Sequence, residues 1–328
     1  MESVISASGL TKYYGNMLAV DHISFEVKAG EIFGFLGPNG AGKTTTIRML
    51  TGLAQPSEGS GRILGYDIGN DLIRAKKVFG VVPETSNLYE ELSAVDNLVF
   101  MAQLYGVPKN ERRNRAEQLL HLFGLQEKRY LRFAAFSKGM KRALTVAAAL
   151  IHGPEVLFLD EPTVGLDAMA TRQLRTLIRR LSEQGITVFL TTHNLEEADM
   201  LCHRLAIVVQ GEIVVTDTPE NLKAMVQEEG ASIELSLSSM PPGEALYELQ
   251  KDGRVARVVK RGDKLRLYGG EVSGILNTAL RFAESHGLTI VSVSTIKPSL
   301  EDAFVRLTGL SSEVMLAEKD GGRDGNKG

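Results

Sequence analysis

The sequence predicts an α/β chain with a second, smaller α+β unit. Three observations carry this. Strand-like apolar runs alternate with helical patterns over residues 1–220, which implies a largely parallel sheet covered on its faces. A glycine-rich stretch, GPNGAGKTT at residues 37–45, lies between one such strand and a helix. After about residue 220 the pattern changes to β-α-β-β-α-β.

The elements follow in order. Val4-Ile5 and Ile23–Val27 alternate as strands do, and Glu31–Leu36 reads as a buried strand feeding the glycine-rich stretch. Thr45–Gly52 reads as a short helix. From Glu91 to about Ile151 apolar positions recur at three- and four-residue spacing, as in Ala116–Phe123 and again after Ser137, so a helical insertion is expected over about 85–152. Strands return at Val156–Leu159, Thr187–Leu190 and Leu205–Val209, with a helix over Thr171–Glu183 between the first two. The second unit, 221–310, is expected to run strand Ser232–Leu237, helix Gly243–Lys251, hairpin strands Arg254–Val259 and Lys264–Tyr268 around Arg261-Gly-Asp263, helix Val272–His286 and strand Leu288–Val293, a ferredoxin-like order. The tail 311–328, ending AEKDGGRDGNKG, has too few apolar groups to offset its ordering entropy and is expected to be disordered.

The composition narrows the function. With 43% apolar and 23% charged residues the 328-residue chain is an ordinary globular protein, long enough for two cores. A formal net charge of −3 gives no general attraction to nucleic acid or anionic lipid, so no nucleic-acid partner is expected. The single cysteine, Cys202, has no partner for an internal disulfide, which suits the reducing cytosol. MESVISASGLTKYYG lacks the basic and apolar regions of a secretory leader, and no run reaches 18 apolar residues. Any membrane role is expected to come through a partner.

The glycine-rich stretch carries the first chemistry. It fits G-x-x-x-x-G-K-[ST], in which backbone N–H groups and the following helix N-terminus converge on a phosphate. Gly37, Gly40 and Gly42 permit the tight backbone, Lys43 reaches the β- and γ-phosphates, and Thr44 is placed to hold Mg²⁺. A nucleoside triphosphate site is expected, a plain glycine turn being the ordinary alternative. VLFLDEP, 156–162, is an apolar strand ending in two carboxylates. In a parallel sheet that end lies beside the phosphate loop, which puts Asp160 near Thr44 and a metal, and makes Glu161 a candidate general base for water attacking a γ-phosphate. FSKGMKR, 136–142, starts a helix with Ser137 at the cap and Gly139 in the first turn, which an ordinary N-cap also explains.

A phosphate loop, a helical insertion, a serine-glycine helix start, a strand ending Asp160-Glu161-Pro162, then Gly165-Leu-Asp167 and a histidine after the next strand: this ordered set resembles the ATP-binding cassette (ABC) ATPases, P-loop NTPases, over about residues 3–220. The resemblance implies that Tyr14 stacks on adenine, an edge-strand tyrosine being the bland alternative. It implies that Gly37, Pro38, Asn39, Gly40, Ala41, Gly42, Lys43, Thr44 and Thr45 hold the phosphates, with Asp160 as the magnesium-linked aspartate and Glu161 as the catalytic glutamate. It further implies that Ser137, Gly139 and Asp167 meet nucleotide across a dimer interface and that His193 contacts the γ-phosphate. Two positions depart from the family pattern. Glu84 follows VVP where glutamine is usual, its oxygen remaining a candidate ligand for Mg²⁺, and Phe136-Ser-Lys-Gly-Met140 replaces Leu-Ser-Gly-Gly-Gln.

Both departures, and KPSLEDAFVRLTG at 297–309, resemble the cassettes of ABC-2-type exporters such as the daunorubicin-resistance group. The last stretch also reads as an amphipathic packing helix with Leu300, Ala303, Phe304 and Leu307 inward. The basic residues Arg254, Arg257, Lys260, Arg261, Lys264 and Arg266 read as a solvated face. The resemblance implies a cytoplasmic ATPase that binds ATP and Mg²⁺, works as a homodimer and drives a separately encoded transmembrane permease from the membrane's inner face, with Leu88 and Tyr89 as docking contacts. A soluble regulatory ATPase not coupled to transport is the alternative. A GTPase is not expected, because Asn-Lys-x-Asp is absent.

Overall fold

The computed structural model describes residues 3–227, 231–295 and 298–315, and the chain divides into two compact units, the first running to Pro219 and taking in the residues from Ser311 on, the second Glu220–Leu310. The first unit runs β1 (Ser3–Tyr14), β2 (Met17–Lys28), β3 (Ile32–Leu36), α1 (Lys43–Leu50), β4 (Glu58–Ile63), β5 (Tyr66–Asp67), α2 (Leu72–Ala75), β6 (Phe79–Val82), α3 (Ala94–Leu104), α4 (Lys109–Leu122), α5 (Lys138–Leu150), β7 (Val156–Asp160), α6 (Ala168–Glu183), β8 (Thr187–Thr192), α7 (Leu195–Leu201), β9 (Arg204–Val209) and β10 (Glu212–Asp217). Helix α1 starts two residues before the expected Thr45 and α6 three before the expected Thr171.

The central sheet has six strands in the order β10-β9-β3-β8-β7-β6. All pairs from β9 to β6 are parallel, and β10 closes one edge antiparallel. Every residue of β3, β7 and β8 is buried, which is why these strands read as continuous apolar runs rather than as alternations. A smaller antiparallel sheet, β2-β1-β4-β5, packs against it through phenylalanines. The Phe25 ring of β2 lies 5.8, 5.1 and 5.7 Å from Phe33, Phe35 and Phe189 of the central sheet, inside the range of favourable aromatic pairs. On β9's approach the free thiol of Cys202 is buried and fills the space a side chain on Gly34 would need, its Sγ lying 2.5 Å from where that Cβ would be. Burial pushes the thiol pKa well above its ordinary value.

The insertion between β6 and β7 packs α3, α4 and α5 around Leu98, Leu120, Phe133 and Leu144. Leu88 is part of this core at 7% exposure, whereas Tyr89 is 50% exposed with its edge against Phe100. Leu88 is therefore a packing residue and not the docking contact expected of it. Buried Asn97 fixes the connection: its amide donates to the carbonyls of Tyr89 and Ser93 and accepts from the Tyr89 N–H at 2.9 Å.

The second unit contains α8 (Pro219–Gln227, from Glu220 on), β11 (Ala231–Leu237), α9 (Gly243–Lys251), β12 (Val255–Arg261), β13 (Lys264–Gly269), α10 (Val272–Ser285), β14 (Ile290–Thr295) and α11 (Leu300–Thr308). Its sheet is antiparallel in the order β12-β13-β11-β14. Ile233, Leu235, Leu265 and Leu267 alternate inward against Leu249, Ile275 and Phe282, while Glu234, Lys264 and Arg266 point the other way. There Lys264 pairs with Glu234 at 2.6 Å and Arg266 approaches it at 3.5 Å, and the Arg257 guanidinium lies 4.3 Å from the Tyr268 ring centre. Helix α11 buries Leu300, Ala303 and Phe304, with Leu307 half-buried, and carries a capping box between Ser299 and Asp302. Beyond this unit, and grouped with the first, Ser312–Met315 forms a 3₁₀ turn with Met315 buried, so disorder does not begin at Ser311. The rest of the expected tail lies outside the described residues.

Candidate functional site

Parallel pairing brings the carboxyl ends of β3, β8 and β7 side by side, with β8 in the middle. Each delivers a loop to the same edge of the sheet: residues 37–42 after β3, His193 after β8, and Glu161 after β7. The expected residues meet there because of strand order, since they are far apart in sequence.

The glycine-rich loop is held from behind. Gly37 N–H bonds to Thr192 O at 3.2 Å, and Gly211 N–H, on the β9–β10 turn, bonds to Ala41 O at 3.2 Å. Gly42 caps α1 in the left-handed region at φ 96°, and a Cβ there would lie 2.6 Å from Ala19 O, so the position admits only glycine. No side chain caps α1. Its leading N–H groups are thus available to an anion, with the helix dipole behind them. Gly37 and Pro38 are buried, Asn39 and Gly40 exposed, and Thr44 and Thr45 half-buried. Tyr14, 42% exposed at the end of β1, pairs with Met17, two residues before Ala19, whose carbonyl lies against Gly42. The Lys12 ammonium lies 5.2 Å from the Tyr14 ring centre.

Lys43 is buried and donates to Gly37 O at 2.6 Å and Pro38 O at 3.0 Å, with Glu161 Oε1 at 3.2 Å. The other Glu161 oxygen meets His193 Nδ1 at 3.0 Å. Burial alone raises the Glu161 pKa, but the His193 hydrogen bond and the Lys43 charge outweigh it, and the carboxyl is held below its ordinary value. The same hydrogen bond raises the His193 pKa. Thr44 Oγ1 donates to Asp160 Oδ1 at 3.1 Å. A hydroxyl and a carboxylate so close form a pair of hard oxygen donors, which suits Mg²⁺. Glu84 is exposed, and the contacts that fix it are to its main-chain carbonyl, not its carboxylate.

Two residues at this edge were not foreseen. Thr191, fully buried at the end of β8, donates to Asp160 Oδ1 at 2.6 Å and accepts from Glu161 N–H at 3.0 Å. Its place two residues before His193, at the end of a predicted strand, was the available signal. Arg142 is buried on α5 and reaches the main chain on both sides of Glu161. A charge on the apolar stripe of α5, in register with Thr145 and Ala149, was the clue.

Ser137, Gly139 and Asp167 form a separate cluster. Ser137 caps α5 by accepting from Met140 N–H, and Asp167 caps α6 by accepting from Ala170 N–H at 2.8 Å. Both caps are exposed. Gly139 has a packing reason beside any ligand role: a Cβ there would lie 2.8 Å from Ala170 Cβ, so α5 and α6 abut at this point.

A family profile described as ABC transporter matches residues 20–164. The chain is 36% identical to the linearmycin resistance ATP-binding protein LnrL of Bacillus subtilis, over 93% of this chain and 98% of that protein. It is also 36% identical to the bacitracin transport ATP-binding protein BcrA of Bacillus licheniformis, over 94% and 98% of the two chains. A solved ATP-binding subunit of an ABC transporter superposes with a TM-score of 0.62 at 30% identity, covering 69% of this chain and 94% of the other.

Proposed function

This chain belongs to the ABC transporter family as an ATP-hydrolysing subunit of the drug-exporter group, and on that premise we propose how its residues do the work. The observation that carries the reading is the network of buried Lys43 and Glu161 with half-buried His193, beside the Thr44–Asp160 pair. ATP enters with adenine stacked on Tyr14 and its phosphates against the N–H groups of residues 37–45. Lys43 exchanges its carbonyl contacts for the β- and γ-phosphates. Thr44 and Asp160, with Glu84 alongside, would hold Mg²⁺, whose charge would offset that of the phosphates. Glu161, kept ionised by its neighbours, orients the attacking water and accepts its proton, and His193 positions the Glu161 carboxylate and contacts the γ-phosphate.

Cassettes of this family dimerise and pair with transmembrane permeases. In the dimer, Ser137, Gly139 and Asp167 of one copy face nucleotide held by the other, so ATP is part of the interface and its hydrolysis releases it. Residues 1–220 form the motor, with a helical subdomain at about 85–152, and 221–310 an accessory domain. Among the described residues no helix is long and apolar enough to cross a membrane. The proposed place of work, by the family's pairing with permeases, is the cytoplasmic face, docked on a separately encoded exporter permease through the exposed side of the insertion near Tyr89.

Purification of the tagged chain from detergent-solubilised native membranes tests this. Recovery of one multi-span membrane protein in stoichiometric amount, and its loss with Tyr89→Asp, is the expected result. Recovery of ribosomes, nucleic acid or no membrane partner would overturn the transport role.

A further inference from the structure

Arg142 sits in the second turn of α5, five residues after the Ser137 cap, and is 8% exposed. Its guanidinium donates to four main-chain carbonyls. Nε reaches Pro162 O at 2.8 Å, Nη2 reaches Asp160 O at 2.8 Å, and Nη1 reaches Pro83 O at 2.5 Å and Glu84 O at 3.2 Å. Among the described residues no carboxylate lies within ion-pair distance of it. A buried cation held only by carbonyls is costly to bury, and it is retained where its planar fork of donors fixes several acceptors at once. Burial lowers its pKa to about 10, which leaves it charged at neutral pH.

The choice of carbonyls is informative. Those of Asp160 and Pro162 flank Glu161, whose backbone is in the left-handed region at φ 46°. A non-glycine residue stays there only when its surroundings fix it. The carbonyls of Pro83 and Glu84 belong to the segment where the chain leaves β6 for the helical insertion. One side chain thus ties the helix capped by Ser137 to the turn that presents Glu161 and to the entry of the insertion.

We propose that Arg142 is a positioning residue: it holds the Glu161 turn in its working geometry and passes displacements of the α5 N-terminus to Glu161 and to residues 83–84 of the same chain. The inference rests on Glu161 being the base for ATP hydrolysis. Nucleotide that the partner copy presents to Ser137 then bears on this chain's own site through one rigid helix turn. An error of about 1 Å in placing a reacting group costs about 100-fold in rate, so the clamp has leverage without touching substrate.

The test compares the full-length wild type, Glu161→Gln, Arg142→Lys and the double variant below their unfolding transitions. Single-turnover and steady-state ATP hydrolysis are read together with titration by a fluorescent ATP analogue. Glu161→Gln alone examines the base: near-normal turnover in that single variant removes the assignment, whatever the arginine variants do. For Arg142→Lys the expected result is a kcat about 10- to 100-fold lower, a KM within about threefold, and a double variant no slower than Glu161→Gln. An arginine that only stabilises the fold would lower Tm and the active fraction while its effect multiplied with that of Glu161→Gln. That result, or an unchanged kcat in Arg142→Lys, overturns the proposal. Should Arg142→Lys not fold, amide exchange on the wild type decides. The analogue is expected to slow exchange at Glu84, at 141–145 and at Asp160, Glu161 and Thr163 together, and protection of the last three without 141–145 refutes the coupling.

Discussion

The two units treat charge in opposite ways. In the first, Lys43 and Glu161 are buried at the carboxyl edge of a sheet whose strands are covered on both faces. In the second, Glu234, Lys264 and Arg266 stand on a sheet face whose other side holds the core. Their separation is as short, 2.6 Å for Lys264 and Glu234 against 3.2 Å for Lys43 and Glu161, so distance does not tell them apart. Burial does. Water screens an exposed pair and leaves little net interaction, whereas a buried pair keeps its field and perturbs whatever enters. Lys264, with 44% of its side chain exposed, thus makes a pair that water reaches, and the charges of the first unit are poised for a ligand.

Substitutions at the two places would sharpen or break this contrast. The largest effect is expected from Lys43→Ala, with turnover lowered by about 100- to 1,000-fold, the scale for removing one donor from a developing negative charge. Steady-state phosphate release measures it, and a loss below tenfold would mean that the buried lysine serves packing alone. A smaller effect is expected from His193→Ala, and it should depend on pH. A raised imidazole pKa contributes stability that is complete below its ordinary 6.5 and is lost as pH rises through the folded value. A lowered carboxyl pKa contributes stability that is complete above its ordinary 4.5 and is lost as pH falls through the folded value. The Tm difference between wild type and His193→Ala should therefore be greatest between these two values and shrink by pH 9. A difference that is flat with pH would show that the contact is not a charge pair in the folded protein. The smallest effect belongs to Lys264→Ala, for which scanning calorimetry should find a Tm indistinguishable from wild type. A clear drop would place the face of the second unit against something that excludes water.

Much of this was legible in the sequence, for reasons that differ by element. Strands β3, β7 and β8 were readable because double burial makes them unbroken apolar runs, and the glycine-rich loop because its spacing follows from the shape of a phosphate. Strand β4, EGSGRI, was not expected, since only two of its residues are buried and its pairing with β1 defines it. Leu88 lay in a polar loop by pattern, yet Asn97 folds that loop onto the helical core. Arg142 was hidden because a charge in a helix is normally solvated, and only the three-dimensional convergence of Pro83, Asp160 and Pro162 supplies it with acceptors. Gly139 drew attention as part of a motif, while its contact with Ala170 depends on the crossing of two helices that sequence spacing does not encode.

The burial of Cys202 against Gly34 has a practical side. A thiol sealed between strand and helix, with its ionisation suppressed, is inert to maleimides while the protein is folded. Since it is the chain's sole cysteine, the native sequence already provides a silent background for site-specific labels. A fluorophore or spin probe on one introduced surface cysteine would report the distance between copies through a catalytic cycle.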